Sequence, residues 1–438
     1  MKKTLATIGL MLFSASFTTA NAQNINFADE NFLEYILLYT GIDTNNDGEI
    51  QMTEAEAYTG GFTLTGNIKN VPEVKYFKKL TSLVINGSQV AAVDVTTNKE
   101  INQVRINNSL LTKLDLSQNS KLLAVDISKS SDLKELTFGS HPQLSYISLM
   151  FNAIEALNVT GCPRLTNLYF ASNKVSSIDI TQNPRLAELN TAANQITTLD
   201  LTKNTRLTYL NVGLNKLQQI DVANNPLLDT FMIQANPITS IDISKQLYLR
   251  QFIMDGTQIP VVDLTGHSML QYFYANYSQL TEVDASQNGD LIYVNAIENQ
   301  KMKFINVKNG NNRNAIGFFA HTSPNLKCIQ VDDVAYSSSQ TLWQKDSTAV
   351  FATDCSNILA SQEIVSKTIT SFYPNPTSGY LFLKTEIKDA TVFNMAGQKV
   401  ASYQNAKMID ISHLPIGNYI INFTDYTGKI LTQKIIKK

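Results

Sequence analysis

Near the start of the chain, oxygen-bearing residues crowd into one run, Asp43-Thr-Asn45-Asn-Asp47-Gly48-Glu49-Ile50-Gln51-Met-Thr-Glu54. Counting from Asp43, side-chain oxygens fall at the first, third, fifth and ninth places, and a glutamate closes the run at the twelfth. Calcium takes a shell of about six to eight oxygens, drawn from carboxylates, amides and backbone carbonyls. Gly48 stands where such a loop needs a sharp turn, and Glu54 can bind through both carboxylate oxygens. The expected ligands of a structural Ca2+ ion are therefore Asp43, Asn45, Asp47, Glu49 (through its backbone carbonyl), Gln51 and Glu54. Ile50 is expected to pack inward. The competing reading is a polar turn without metal.

Other reactive groups are sparse. Four histidines are scattered at His141, His267, His321 and His413. His141 and Cys162 take equivalent places in successive units, so a Cys–His nucleophile pair is conceivable. The same column elsewhere holds Asn119, Asn183, Asn204 and Asn225, which reads as a turn position. No metalloprotease helix motif, phosphate loop or nucleophile elbow occurs, so no catalytic residue is assigned and the chain is not read as an enzyme. Cys328 and Cys355 fall in one short segment and are expected to pair, closing a loop worth on the order of 3 kcal/mol. Cys162 is left over.

Repetition dictates what must position these groups. The pattern L-x-x-L-x-L-x-x-N-x-L runs through Leu165, Leu168, Phe170, Asn173 and Val175, and again through Leu186, Leu189, Thr191, Asn194 and Ile196. Between these lie apolar-Asp-apolar triplets such as Ile178-Asp179-Ile180. Their middle residues, aspartate except at Thr137, Asn158 and Asn306, fall at 94, 115, 137, 158, 179, 200, 221, 242, 263, 284 and 306, so eight of ten spacings are 21 and two are 22. Each unit carries two short alternating apolar runs, the pattern of strands. One unit cannot bury its apolar side alone, so the units must stack into a solenoid. With strands ~4.8 Å apart, eleven coils make a rod of roughly 50 Å.

The asparagine column at 152, 173, 194, 215 and 236 is expected to bond the backbone of the turns, or else to form a polar track. Thr257 and Ser278 replace it later, which predicts weaker turn bonding there. The aspartate column (Asp179, Asp200, Asp221, Asp242, Asp263, Asp284) needs relief from like-charge stacking. Either neighbouring Ser/Thr and N–H groups supply it, or a cation does. Residues beside the inward leucines face outward. There, and in the following turn, Tyr272, Tyr274, Tyr277 and Tyr293 are expected to form one exposed aromatic patch. They read as ligand-binding residues or as ordinary strand formers. Tyr146, Phe151, Tyr169, Tyr209, Met232 and Ile253 share the same face.

The repeat resembles the leucine-rich-repeat family in the short-unit form of secreted Bacteroidetes proteins, over about residues 80 to 310. The early acidic run resembles the EF-hand calcium loop, following a helix whose N-cap is Asp29. The tail carries Phe372-Tyr-Pro-Asn-Pro-Thr-Ser-Gly379, Val392-Phe-Asn-Met-Ala-Gly397, Ile411-Ser-His-Leu-Pro-Ile-Gly417 and a basic end, Lys434 to Lys438. These resemble the C-terminal sorting domain (type A) of the type IX secretion system. That likeness implies an export address and the secretion machinery as a partner.

The first residues read as a signal peptide: Lys2 and Lys3, an apolar stretch from Leu5, and Ala20-Asn21-Ala22 before Gln23. The net charge of −2 offers nothing for nucleic acid. No stretch reaches the ~20 apolar residues of a membrane span.

The expected fold is mainly β, a leucine-rich-repeat solenoid of about 21-residue units with a helical N-terminal cap and a small C-terminal β-sandwich. The expected segments are 1–22 signal peptide, 23–62 helical cap with the calcium loop, 63–315 solenoid, 316–357 C-terminal cap, 358–370 linker and 371–438 sorting domain. The expected role is protein–protein or adhesive binding, secreted or at the outer-membrane surface. The alternatives are carbohydrate binding and a structural surface layer.

Overall fold

The computed structural model describes residues 23–87, 89–360, 372–424 and 430–438. The signal-peptide reading (1–22) and most of the expected linker (358–370) lie outside them. Two compact units divide at Cys355/Ser356. Among the described residues, no helix is long and apolar enough to cross a membrane.

The first unit is a solenoid. Fourteen strands form one parallel sheet, from Gly61–Thr65 to Trp343–Lys345. Register is strict. Leu189, Leu210, Phe231, Phe252 and Phe273 are successive partners, each 21 residues after the last. Repetition of the sequence causes this: identical inward residues are spaced by one coil, so each caps the one before. Phe231 and Phe252 stack with ring centroids 5.6 Å apart, and Phe252 meets Phe273 at 6.1 Å. One core runs from Phe32 to Ala349 without a break.

The opposite side departs from expectation. The apolar-Asp-apolar triplets form strands only at the two ends of the array. Two strands pair near the start (Lys113–Asp115 with Glu135–Thr137), and four near the end, from Glu282–Asp284 to Val350–Ala352. In the middle coils each aspartate accepts the N–H two residues on, as Asp179 does from Thr181 and Asp200 from Thr202, both at 2.9 Å. Asp115 and Asp284, which lie in paired strands, make the same bond, so the local turn is common to paired and unpaired triplets. It also answers the question of the like-charged column: hydrogen bonding to Thr181 and its N–H holds the Asp179 carboxyl below its ordinary range, against the charge of Asp200.

Each coil bends back through one residue in left-handed conformation. Ten such residues are not glycine, among them Phe151 (φ 60°), Ala193 (φ 54°), Leu214 (φ 56°) and Tyr277 (φ 53°), whereas Gly256 takes the same place with φ 66°. The asparagine column follows at once and works as a ladder. Asn194 Nδ2 donates to the carbonyls of Phe170 and Thr191, and its Oδ1 accepts from Val175 N–H. Thr257 makes one such bond, to Met254, and Ser278 bonds Ala275 and Asn299. A second column, Asn183, Asn204 and Asn225, donates to backbone carbonyls on the far turn.

Both ends of the core are covered. At the start, helix α1 (Glu30–Tyr39) lays Phe32 and Ile36 on the first coil, with Asp29 as N-cap bonding Asn31 N–H. Helix α2 (Met52–Ala57) follows the acidic loop. Residues 316–357, expected as a cap, contribute the last two coils. Their register pairs, Val294 with Phe318 and Phe318 with Trp343, lie 24 and 25 residues apart instead of 21. Trp343 stacks on Phe318 at 5.2 Å and closes the core. The expected Cys328–Cys355 disulfide is formed.

The second unit is antiparallel. Five strands surround one core that includes Leu381, Ile387, Val392, Ile421 and Phe423. The long strand Tyr380–Asn394 shifts register between Phe382 and Ile387. Both halves pair with Lys399–Asp410 along one edge, while along the other Phe372–Tyr373 pairs the first half and Gly417–Thr424 the second; Thr377 closes the layer against Ile436 and Lys438.

Candidate functional site

Two places carry the sequence's candidate residues: the acidic loop between α1 and α2, and the outward face of the long parallel sheet.

In the loop, backbone N–H groups aim at the carboxylates. Asp43 accepts from Asp47 N–H (3.2 Å) and Gly48 N–H (3.0 Å), and Asp47 accepts from Glu49 N–H (2.9 Å). Gly48 has φ 82° and Asn46 φ 57°, the left-handed conformations that fold the run inward. Glu54 is buried and spans the loop, bonding Thr44 through one oxygen and Gln51 N–H through the other. Burial alone would raise its carboxyl, but the Gln51 and Thr44 bonds outweigh that and hold it below the ordinary value. The Glu49 N–H does the same for Asp47. Ile50 packs inward, buried.

Among the described residues no three His, Cys, Asp or Glu side chains converge as a ready metal cluster. The remaining loop donors are amides. Asn45 Nδ2 lies between Asp47 Oδ2 (2.8 Å) and Gln51 Oε1 (3.2 Å), and Gln51 Nε2 reaches Asp47 Oδ2 at 3.0 Å. These NH2 groups supply the positive ends that the oxygens require. Turning the Asn45 amide to present its oxygen would give a cation the same neighbours, so the residues fit calcium.

On the sheet face, register brings Tyr272 opposite Tyr293, and Tyr274 opposite Asn295. Tyr272 and Tyr274 each approach Tyr293, at ring centroids of 6.4 and 5.2 Å, and Phe319 adds a fourth ring 5.7 Å from Tyr293. These rings are half-buried. Tyr293 and Phe319 lie over Gly317, where a Cβ would approach both rings to under 3 Å. Tyr277 stands apart. It sits in the left-handed turn, 59 % exposed, bonded to Glu298, whose charge raises its hydroxyl pKa. The aromatic cluster is therefore Tyr272, Tyr274, Tyr293 and Phe319, with Tyr277 on the rim. Sequence reading missed Phe319 because the longer spacing of the last coils takes it out of the 21-residue frame.

Asp255 is half-buried beside Tyr274 and Tyr277 and accepts from Asn276 N–H at 2.7 Å. Burial raises its carboxyl despite that bond. Burial raises Tyr274 as well, helped by Tyr293, Tyr272 and the charge of Asp255. Farther along the face, Tyr146 meets Tyr169 at 5.8 Å, and the Tyr169 hydroxyl bonds Glu188. Burial and that carboxylate push Tyr169 up to about 12.

The His141–Cys162 pair has no free base. His141 Nε2 accepts from Gly139 N–H and Nδ1 faces the Asn119 carbonyl, so both nitrogens serve the backbone. Burial pushes the Cys162 thiol to about 11.

Comparison with known proteins gives the tail and the fold. Residues 371–438 match the family described as "Secretion system C-terminal sorting domain". The likeness read from the tail motifs is thereby borne out, and it marks the chain for type IX secretion and the cell surface. No curated protein matches the chain. Among solved structures, the functional domain of InlJ from Listeria monocytogenes, which includes a cysteine ladder, is 20 % identical at TM-score 0.53. That match covers 94 % of this chain and 97 % of that one. The internalin InlF of the same organism is 18 % identical at TM-score 0.52, covering 74 % of this chain and 96 % of its own. At such identities the likeness is one of fold.

Proposed function

We propose that this chain is an exported binding protein that presents the outward face of its long sheet to a partner at the cell surface, without catalysis. One observation carries the reading: four aromatic rings from three adjacent coils gather on a face that the fold does not need to fill. Tyrosine joins a large apolar area to a polar tip and loses little freedom on binding, which is why it concentrates at recognition surfaces. A rigid, in-register sheet holds the rings in place before the ligand arrives, reducing the ordering cost of association. The sorting domain supports the location, and the internalin-like fold is compatible with a binding role.

Calcium belongs to the same proposal as a structural element. Asp43, Asn45, Asp47, Gln51, Glu54 and the Glu49 carbonyl would hold the ion, which would tie α1 to α2 and stiffen the cover over the first coil. It has no part in the binding chemistry.

The binding test places the full chain on paired protein and glycan arrays beside a Tyr272→Ala, Tyr274→Ala, Tyr293→Ala variant. The expected result is a ligand signal that the variant loses while its circular dichroism stays unchanged. A signal that the variant keeps would remove the face from the proposal. For calcium, calorimetric titration of the full chain should show one site that Glu54→Gln loses; no heat in the parent chain refutes it.

A further inference from the structure

Taking the sheet face as the binding surface, we infer that its ligand is a neutral polysaccharide, an uncharged and hydroxyl-rich chain lying across the strands along the solenoid. Charge comes first. Nine consecutive strands of the sheet, from Tyr146–Ser148 to Gly317–Ala320, present no lysine or arginine at their outward positions. The carboxylates on the face are Glu188, occupied by the Tyr169 hydroxyl, and Asp255 beside Tyr274, which accepts from Asn276 N–H. A phosphate or uronate polymer finds no counter-charge here. Protein-recognition surfaces draw on arginine together with aromatics, and this face has the aromatics alone.

The polar groups that remain are mostly amides and hydroxyls. Asn295 lies in register between Tyr274 and Phe319, and its Oδ1 is shut from solvent with no hydrogen-bond partner. Gln234 Oε1 is in the same condition, its amide lying where a Cβ on Gly213 would sit. Rings that stack on the C–H face of a sugar, flanked by amides that bond its hydroxyls, fit a neutral glycan. The same outward positions repeat every ~4.8 Å over roughly 40 Å, which suits a linear polymer better than a compact ligand.

The rim adds an independent sign. Phe151, Leu214 and Tyr277 are 53, 55 and 59 % exposed, and each holds the left-handed conformation of its turn. They recur every third coil. Glycine fits that backbone without strain, whereas these side chains strain it and gain little burial. Contact with a ligand along the rim gives them a use.

The test is affinity electrophoresis of the full chain in gels containing galactomannan, xyloglucan or mixed-linkage β-glucan, with polygalacturonate and alginate as acidic controls. The expected result is retardation by at least one neutral polymer, insensitive to added salt, and none by the acidic ones. Asn295→Leu should weaken it about tenfold, the worth of one well-made hydrogen bond. Retardation by none of the neutral polymers, or salt-sensitive retardation by an acidic one, overturns the inference. A protein captured on the array and lost by the triple tyrosine variant would then leave the binding face standing without the glycan. No ligand of either kind would sink both.

Discussion

The asparagine ladder can be tested one rung at a time. Asn194 is buried and makes three close bonds and a longer one (3.3 Å) to the Ala192 carbonyl, which keeps Ser172 N–H as a donor; the three close ones are not equal. The Phe170 carbonyl also accepts from Asn173, and the Thr191 carbonyl also accepts from Asn215. Asn194→Ala therefore leaves each carbonyl with one donor, at a cost of about 0.5–1 kcal/mol apiece. Val175 N–H has Asn194 Oδ1 as its partner at 2.9 Å. Orphaning that buried donor costs about 1–3 kcal/mol more. The sum is about 2–5 kcal/mol. At the equivalent rung, Thr257→Ala removes the single bond to Met254, about 1 kcal/mol. Urea unfolding followed by far-ultraviolet circular dichroism gives both numbers, and amide exchange at Val175 reports the local opening. Asn194→Ala should cost at least twice what Thr257→Ala does, and Val175 should lose protection first. Equal costs, or unchanged exchange at Val175, would refute the assignment of the ladder's strength to shared carbonyls and one exclusive N–H.

Leu214→Gly should raise the thermal midpoint, by about 1 kcal/mol in stability, because the left-handed turn strains every residue with a Cβ; a fall would show that the exposed leucine packs usefully. Both Glu54 and Asp47 sit below their ordinary pKa values in the fold, so the unfolded chain takes up protons first. With chelator present, their contribution should be complete above the ordinary values of 4.5 and 3.8 and should vanish as pH falls through the lowered ones. Amide exchange in the Asp43–Glu54 loop between neutral and acid pH checks the direction. Cys355→Ser should cost about 3 kcal/mol and raise exchange in the strands Cys328–Gln330 and Val350–Ala352 ahead of the middle coils.

Periodicity made the solenoid legible because burial repeats with the sequence: Leu189 and Leu210 are alike because they do the same work one coil apart. It could not show that Ile178-Asp179-Ile180 would fail to pair as a strand. Alternation of apolar residues suits either a strand or a turn, and the local Asp179–Thr181 bond recurs at Asp115 and Asp284, where strands do form, so nothing within one triplet distinguishes the two. Nor could it extend past residue 315, since the insertion around Asn309–Asn314 breaks the frame in which Phe319 would have joined the tyrosines. The acidic loop was readable in its backbone, which Gly48 and the carboxylates dictate. The direction of the Asn45 and Gln51 amides is a matter of hydrogen-bond partners that spacing does not carry. Tyr277 belonged to the patch by type and position, and its turn carried it to the rim.

The Cys328–Cys355 bond has a mechanical meaning. In a parallel solenoid the hydrogen bonds between coils run along the long axis, so tension along that axis loads them one row at a time, like the teeth of a zip. A pull on the chain beyond Cys355 meets the covalent link before it meets the strand Val350–Ala352. Residues 329–354 form a closed loop that cannot lengthen, and the load passes to Cys328, on the four-stranded sheet. Peeling from that end must then begin upstream of the last coil.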